Sequence, residues 1–90
     1  MRLTDTKIRN TKPSAREQKM ADERGLFLVI TPAGSKIWRL RYWYNGKEKK
    51  LALGRYPLIS LKDARRKRDD ALRLVDEGID PSQARKAEKL

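Results

Sequence analysis

The sequence contains neither cysteine nor histidine. Without cysteine there are no disulfide staples and no thiolate metal sites, and a reducing cytosol is a compatible setting. Without histidine the commonest general base and the commonest metal ligand are both missing. No G-x-G-x-x-G, no P-loop, no acidic cluster and no nucleophile–base pair is present. The expectation is therefore no catalytic residue, no metal and no cofactor. Long apolar runs are also lacking. The longest, LFLVI at residues 26–30, is five residues, against the roughly 20 that a membrane-spanning helix needs. The opening MRLTDTKIRN has no apolar middle of the signal-peptide kind. Apolar material is scarce throughout, at 38% hydrophobic against 39% charged over 90 residues. One small domain with a thin core is the expectation, since a chain of this size buries only about 60% of its unfolded surface.

Positive charge is abundant. Twenty-three Lys and Arg stand against 12 Asp and Glu, a net charge of +11. Charge of this sign bears on partners rather than on fold. Nucleic acid is the first class of partner and an anionic membrane surface the second; a merely solvated basic surface is the third reading.

Residues 3–9 read as a short helical turn with Thr4 as N-cap and Asp5 in its first turn. Residues 10–17, NTKPSARE, read as an extended linker, and residues 19–21 as a short edge strand. After a turn at residues 22–25, residues 26–31 form a β-rich run that ends at Pro32. Residues 36–44 alternate as a strand, and Asn45-Gly46 marks a two-residue hairpin of type I′. Such a loop pairs Tyr44 with Lys47. Counting back, Trp38 faces Leu53, Leu40 faces Leu51 and Tyr42 faces Lys49, while Arg39 faces Ala52, Arg41 faces Lys50 and Trp43 faces Glu48. The core face is then Trp38, Leu40, Tyr42, Leu51 and Leu53, joined by Leu26, Leu28 and Ile30. The outer face is Ile37, Arg39, Arg41, Trp43, Glu48 and Lys50. A one-residue slip would exchange the two faces, so the register is well specified. Ser60, with Asp63 three residues on, opens a helix whose stripe is Leu61, Ala64, Ala71, Leu72 and Val75. Gly78 ends it, and Asp80-Pro81 starts a last helix over residues 81–90 with almost no apolar face. The fold class is α+β: a three-stranded antiparallel sheet, with room for a short extra edge strand, packed against one C-terminal helix. Residues 1–78 form the domain and residues 79–90 begin a linker.

The charge is clustered. Residues 36–55 carry seven basic residues against Glu48, and so hold +6 of the +11; residues 61–68 carry five against Asp63, a further +4. The helix is basic in its first two turns and carries Asp69, Asp70, Asp76 and Glu77 later, which opposes its macrodipole. Arg65–Asp69 and Arg66–Asp70 pairs one turn apart are expected to recover part of that cost. A broken local rule is where function is expected. Arg68 falls inside the apolar stripe and reads as a stem that carries its head out to water. Trp43 and Tyr44 flank the turn and read as cross-strand packing. A β-ribbon fits the major groove of B-DNA, and the planar fork of arginine suits guanine O6 and N7. Arg39, Arg41 and Lys50 are the base-contacting candidates. Lys36, Lys47, Lys49, Arg55, Lys62, Arg65 and Arg66 are the phosphate-contacting candidates. RNA is less favoured, because its major groove is too deep and narrow for a sheet; an RNA-binding or nonspecific basic module is the alternative.

The run GLFLVITPAGSKIWRLRYWYNGKEKKLALGRYPLISLKDAR, followed by EGIDP, resembles the N-terminal arm-type DNA-binding domain of prophage and pathogenicity-island integrases, which are tyrosine recombinases. The likeness covers about residues 3–84 of the sequence. It rests on Gly25-Leu26, Gly34-Ser35-Lys36, Trp38, Arg41-Tyr42, Leu53-Gly54, Tyr56-Pro57, Ser60-Leu61, Ala64-Arg65, and Gly78 with Asp80-Pro81. The resemblance implies a three-stranded sheet placed in the major groove of arm-type sites beside an attachment site. It implies a partner, double-stranded DNA, together with other integrase domains and protomers and no membrane, in the bacterial cytoplasm at the nucleoid. It also implies that this chain is a fragment, and that an Arg/His/Tyr active site lies in a catalytic region beyond it. Arg68 departs from the pattern, where such domains more often carry a small apolar residue.

Overall fold

The computed structural model describes residues 3–88. The order is α1 (Asp5–Asn10), β1 (Gln18–Ala21), β2 (Leu26–Ile30), β3 (Lys36–Tyr44), β4 (Lys47–Arg55), α2 (Leu61–Asp76) and α3 (Pro81–Glu88). The sheet has four antiparallel strands in the order β1-β2-β3-β4, not three. Gln18 to Ala21 pair with Ile30 to Phe27, so the short edge segment is a full member of the sheet. The edge strand expected at residues 19–21 is present and begins one residue earlier, at Gln18; its polar Gln18 and Lys19 suit an edge that blunts unwanted pairing. The last helix ends at Glu88, and residues 89–90 of the expected span lie outside the described residues.

Helix α2 packs on one face of the sheet, and the core lies between them. Trp38, Leu40, Tyr42, Leu26, Leu28 and Ile30 are buried from the sheet, with Leu61, Ala64 and Ala71 from the helix stripe. Leu53 is buried, Leu51 is half-buried, and Leu72 and Val75 pack at the margin. The sequence reading left Ile8 and Leu3 out of this core, yet both are buried in it. The local reason is sound: Thr4 Oγ1 accepts from the Lys7 N–H at 3.2 Å, so α1 starts where capping predicts and turns Ile8 inward. Ser60 caps α2 likewise, accepting from the Asp63 N–H at 3.2 Å.

The hairpin register holds from Tyr44–Lys47 back to Arg39–Ala52, and then it breaks. Trp38 pairs with Gly54, not Leu53, and Ile37 with Arg55, because a bulge inserts one residue into β4. Glycine makes the bulge feasible. Gly54 has φ +134°, and a Cβ there would lie 2.6 Å from Ile59 Cγ1. Leu53 remains on the core side, while Arg55 is carried to the same side as Ile37. At the tip, Asn45 and Gly46 both have positive φ, +52° and +75°, as a type I′ turn requires. A Cβ on Gly46 would meet nothing within 4 Å. Gly46→Ala is therefore expected to cost about 1 kcal/mol, from backbone strain alone. Gly54→Ala adds the clash and should cost roughly 2–4 kcal/mol. Urea midpoints of the two variants check this order; a Gly46→Ala midpoint equal to that of the parent would refute the assigned turn.

Two buried carboxylates tie the periphery to the core. Asp22, in the β1–β2 turn, accepts from the Leu3 N–H at 2.8 Å and from Arg65 Nε and Nη2 at 3.0 Å each. Arg65 Nη2 also donates to the Leu3 carbonyl at 2.9 Å. Arg68 does not send its head to water. It is 7% exposed, and its guanidinium meets Asp22 (3.4 Å), the Glu23 carbonyl (3.1 Å) and Asp69 (3.0 Å). A charged group this deep needs such partners. The expected Arg65–Asp69 and Arg66–Asp70 pairs give way to Arg65–Asp22 and Arg66–Asp63. Much of the helix's misplaced basic charge is thus structural. At the other end Asp80 accepts from Tyr42 Oη at 2.6 Å, from the Ser82 N–H at 3.0 Å and from Lys49 Nζ, fastening the start of α3 to the sheet.

Candidate nucleic-acid interface

Strand pairing determines which side chains share the face opposite α2. They are Lys19 and Ala21 on β1, Phe27 and Val29 on β2, Ile37, Arg39, Arg41 and Trp43 on β3, and Glu48, Lys50, Ala52 and Arg55 on β4. Five of these are basic and one is acidic. No described helix packs on this face, because Ile8 and the stripe of α2 both enter the core on the other side. A shallow cleft of about 240 Å³ opens on it, and Lys19, Phe27, Arg41 and Lys50 are among the residues lining it.

Arg39 and Arg41 differ in setting. Arg39 rises from the middle of the sheet with Phe27 and Ala52 as its cross-strand neighbours. It is half-buried, and its Nε is shut off from solvent with no hydrogen-bond partner. Its stem is therefore held in place by packing. Arg41 is exposed, pairs across with Lys50, and has its Nε 3.9 Å from Glu48 Oε1. Trp43, next outward on the same strand, is 62% exposed; cross-strand packing on Glu48 does not bury it.

The phosphate-contacting candidates fall into separate places. Arg55 reaches the open face only because of the bulge. Lys36, Lys47 and Lys49 share the parity of the core row. Lys36 Nζ donates to the Ile8 carbonyl at 2.7 Å and sits over the Tyr56 ring. Lys49 sits over the Tyr44 ring, and its hydrogen bond to Asp80 raises its pKa above the ordinary lysine value. That bond, with the one from Tyr42, holds the Asp80 carboxyl below the usual carboxylate range. Lys47 is exposed at the hairpin end. Lys62 and Arg66 are exposed on α2, outside its buried stripe and so in the layer away from the open face; Arg65 is taken up by Asp22. Lys19 is the open-face cation that sequence reasoning passed over. Finding it needed the register of β1 on β2, which no hairpin signal supplies.

The family described as the arm DNA-binding domain matches residues 3–88. This chain belongs to that family. Similar curated proteins include the integrase of Shigella phage Sf6, 42% identical over 85 residues, which covers 94% of this chain and 22% of that protein. Prophage integrase IntZ of Escherichia coli (strain K12) is 43% identical over 89 residues, 97% of this chain and 22% of that protein. Prophage integrase IntS of the same strain is 42% identical over 85 residues, 94% and 22%. The arm domain thus spans about a fifth of the length of these relatives. Among its described residues no helix is long and apolar enough to cross a membrane.

Proposed function

We propose that this arm domain binds double-stranded DNA sequence-specifically, with its open sheet face in the major groove of arm-type sites, and so supports integration and excision by a longer tyrosine recombinase. One observation carries the reading. Lys19, Arg39, Arg41, Lys50 and Arg55 share a sheet face that no helix covers. A twisted antiparallel ribbon is narrow enough to enter the groove, and its outward arginines then point at base edges. Arg39, Arg41 and Lys50 take the base edges. Arg55, Lys47 and Lys19 hold flanking phosphates, while Lys62 and Arg66 act only where DNA passes the end of the domain. Lys36, Lys49 and Arg65 act mainly through the fold they hold together. Residues 79–90 begin the connection to the core-binding and catalytic regions, anchored at its start by Asp80. The site of action is the bacterial cytoplasm, at the nucleoid.

The experiment is a titration of duplex DNA at several salt concentrations beside an RNA hairpin. Each neutralised phosphate contributes about −0.9 to the slope of log K against log salt, so three to five contacts give roughly −3 to −5. A flat response, or tighter binding to the RNA hairpin, would overturn the reading.

A further inference from the structure

We propose that Arg41 and Glu48 act as one reading unit for a single G·C base pair, with Arg41 donating to guanine and Glu48 accepting from the amino group of cytosine. This rests on the groove-facing reading above and assigns a role to the one acid on that face. An acid set among phosphates weakens binding unless it meets a donor, so its presence needs a reason. Stability does not supply one. The two side chains are 3.9 Å apart, beyond hydrogen-bond range, and are 59% and 40% exposed, a setting in which ion pairs add little.

The geometry points instead to a matched ligand. Trp43 pairs with Glu48 and Arg41 with Lys50, so Arg41 and Glu48 are diagonal neighbours across the hairpin and both project from the open face. The result is a donor fork beside an acceptor. The major-groove edge of a G·C pair offers the complement: the O6 and N7 acceptors of guanine next to the N4 amino donor of cytosine. A reversed C·G pair sets the guanine acceptors against the carboxylate, and a thymine sets its O4 acceptor or its methyl group there. Glu48 thus contributes by penalising wrong sequences, and Arg41 by favouring the right one.

The test is selection from a pool of duplexes randomised over a central window, using the 90-residue chain, Arg41→Ala, Glu48→Ala and Arg39→Ala. The parent is expected to enrich a motif containing one G·C position that Arg41→Ala and Glu48→Ala both relax by roughly ten-fold, with Arg39→Ala acting at another position. Glu48→Ala should also bind the unselected pool more tightly than the parent, by about five-fold at low salt. If Glu48→Ala keeps every positional preference of the parent while Arg41→Ala relaxes one, the paired reading is wrong and the groove assignment stands. If the parent enriches no motif, or neither arginine variant alters it, the groove assignment fails and this inference with it.

Discussion

Asp22→Ala is expected to lower the stability of the domain by about 3–5 kcal/mol, the usual effect of removing one partner from a buried ion pair. The Asp22 side chain is fully buried and serves the Leu3 N–H, the fork of Arg65 and the head of Arg68 at once. Its loss leaves the Arg65 guanidinium with only the Leu3 carbonyl, takes one of three partners from the Arg68 head, whose side chain is only 9% exposed, and frees the N-terminal segment. Small domains have about 5–15 kcal/mol in total, so the variant should be close to unfolded at 37 °C. Acid should mimic it. Burial pushes the Asp22 carboxyl up, but hydrogen bonds from Arg65 and from the backbone more than offset this and hold it below 3.8. A carboxyl lowered by folding stabilises above its unfolded pKa, and that contribution is lost as pH falls through the folded value. Guanidinium midpoints from pH 7 down to pH 2 check both points. Asp22→Asn should lose stability at neutral pH and show a shallower decline below about pH 4 than the parent. A cost under about 1 kcal/mol for Asp22→Ala would show that Arg65 finds another partner.

Arg39→Ala is expected to cost about 1–3 kcal/mol on the best duplex, the size of a bidentate arginine–guanine contact, and much less on a scrambled one. Arg39 should lose more than Arg41. Its stem is already packed between Phe27 and Ala52, so less freedom is given up on binding, whereas Arg41 must leave Glu48 or bring it along. Lys47→Ala, by contrast, should weaken both duplexes about equally and lower the salt slope by about one. Binding titrations on both duplexes at two salt concentrations separate these cases. Equal losses on the two duplexes for Arg39→Ala would mean that this face positions the protein without reading sequence.

The hairpin was legible because Asn45-Gly46 is a strong local signal and because alternation in residues 36–44 separates the two faces. Capping at Thr4 and Ser60 was legible for the same local reason. What escaped the sequence is non-local. The bulge depends on Gly54 lying against Ile59, and the register of β1, whose edge-strand character was legible, depends on pairing with β2 across a turn without a strong signature. Arg68 and Arg65 carry no local mark of their shared partner, because Asp22 lies more than forty residues away.

The candidate site divides along the same line. Arg39, Arg41 and Lys50 follow from parity alone, and the structure sets them on one open face. Charge counting over residues 36–55 could not separate cations on the open face from those on the core row. It grouped Lys36 and Lys49, which hold the Ile8 carbonyl and Asp80, with Arg55, which only the bulge turns outward.

The chain carries its own reporters for the claim that the open face meets DNA. It has two tryptophans, on the same strand and opposite faces. Trp43 is 62% exposed beside Arg41, while Trp38 is buried with its Nε1–H donating to the Ile59 carbonyl at 2.7 Å. Their indole N–H resonances can be followed as duplex DNA is added to nitrogen-15-labelled protein. The Trp43 signal is expected to move or broaden in step with binding while the Trp38 signal stays in place. A Trp43 signal that does not respond at saturating DNA would contradict the claim.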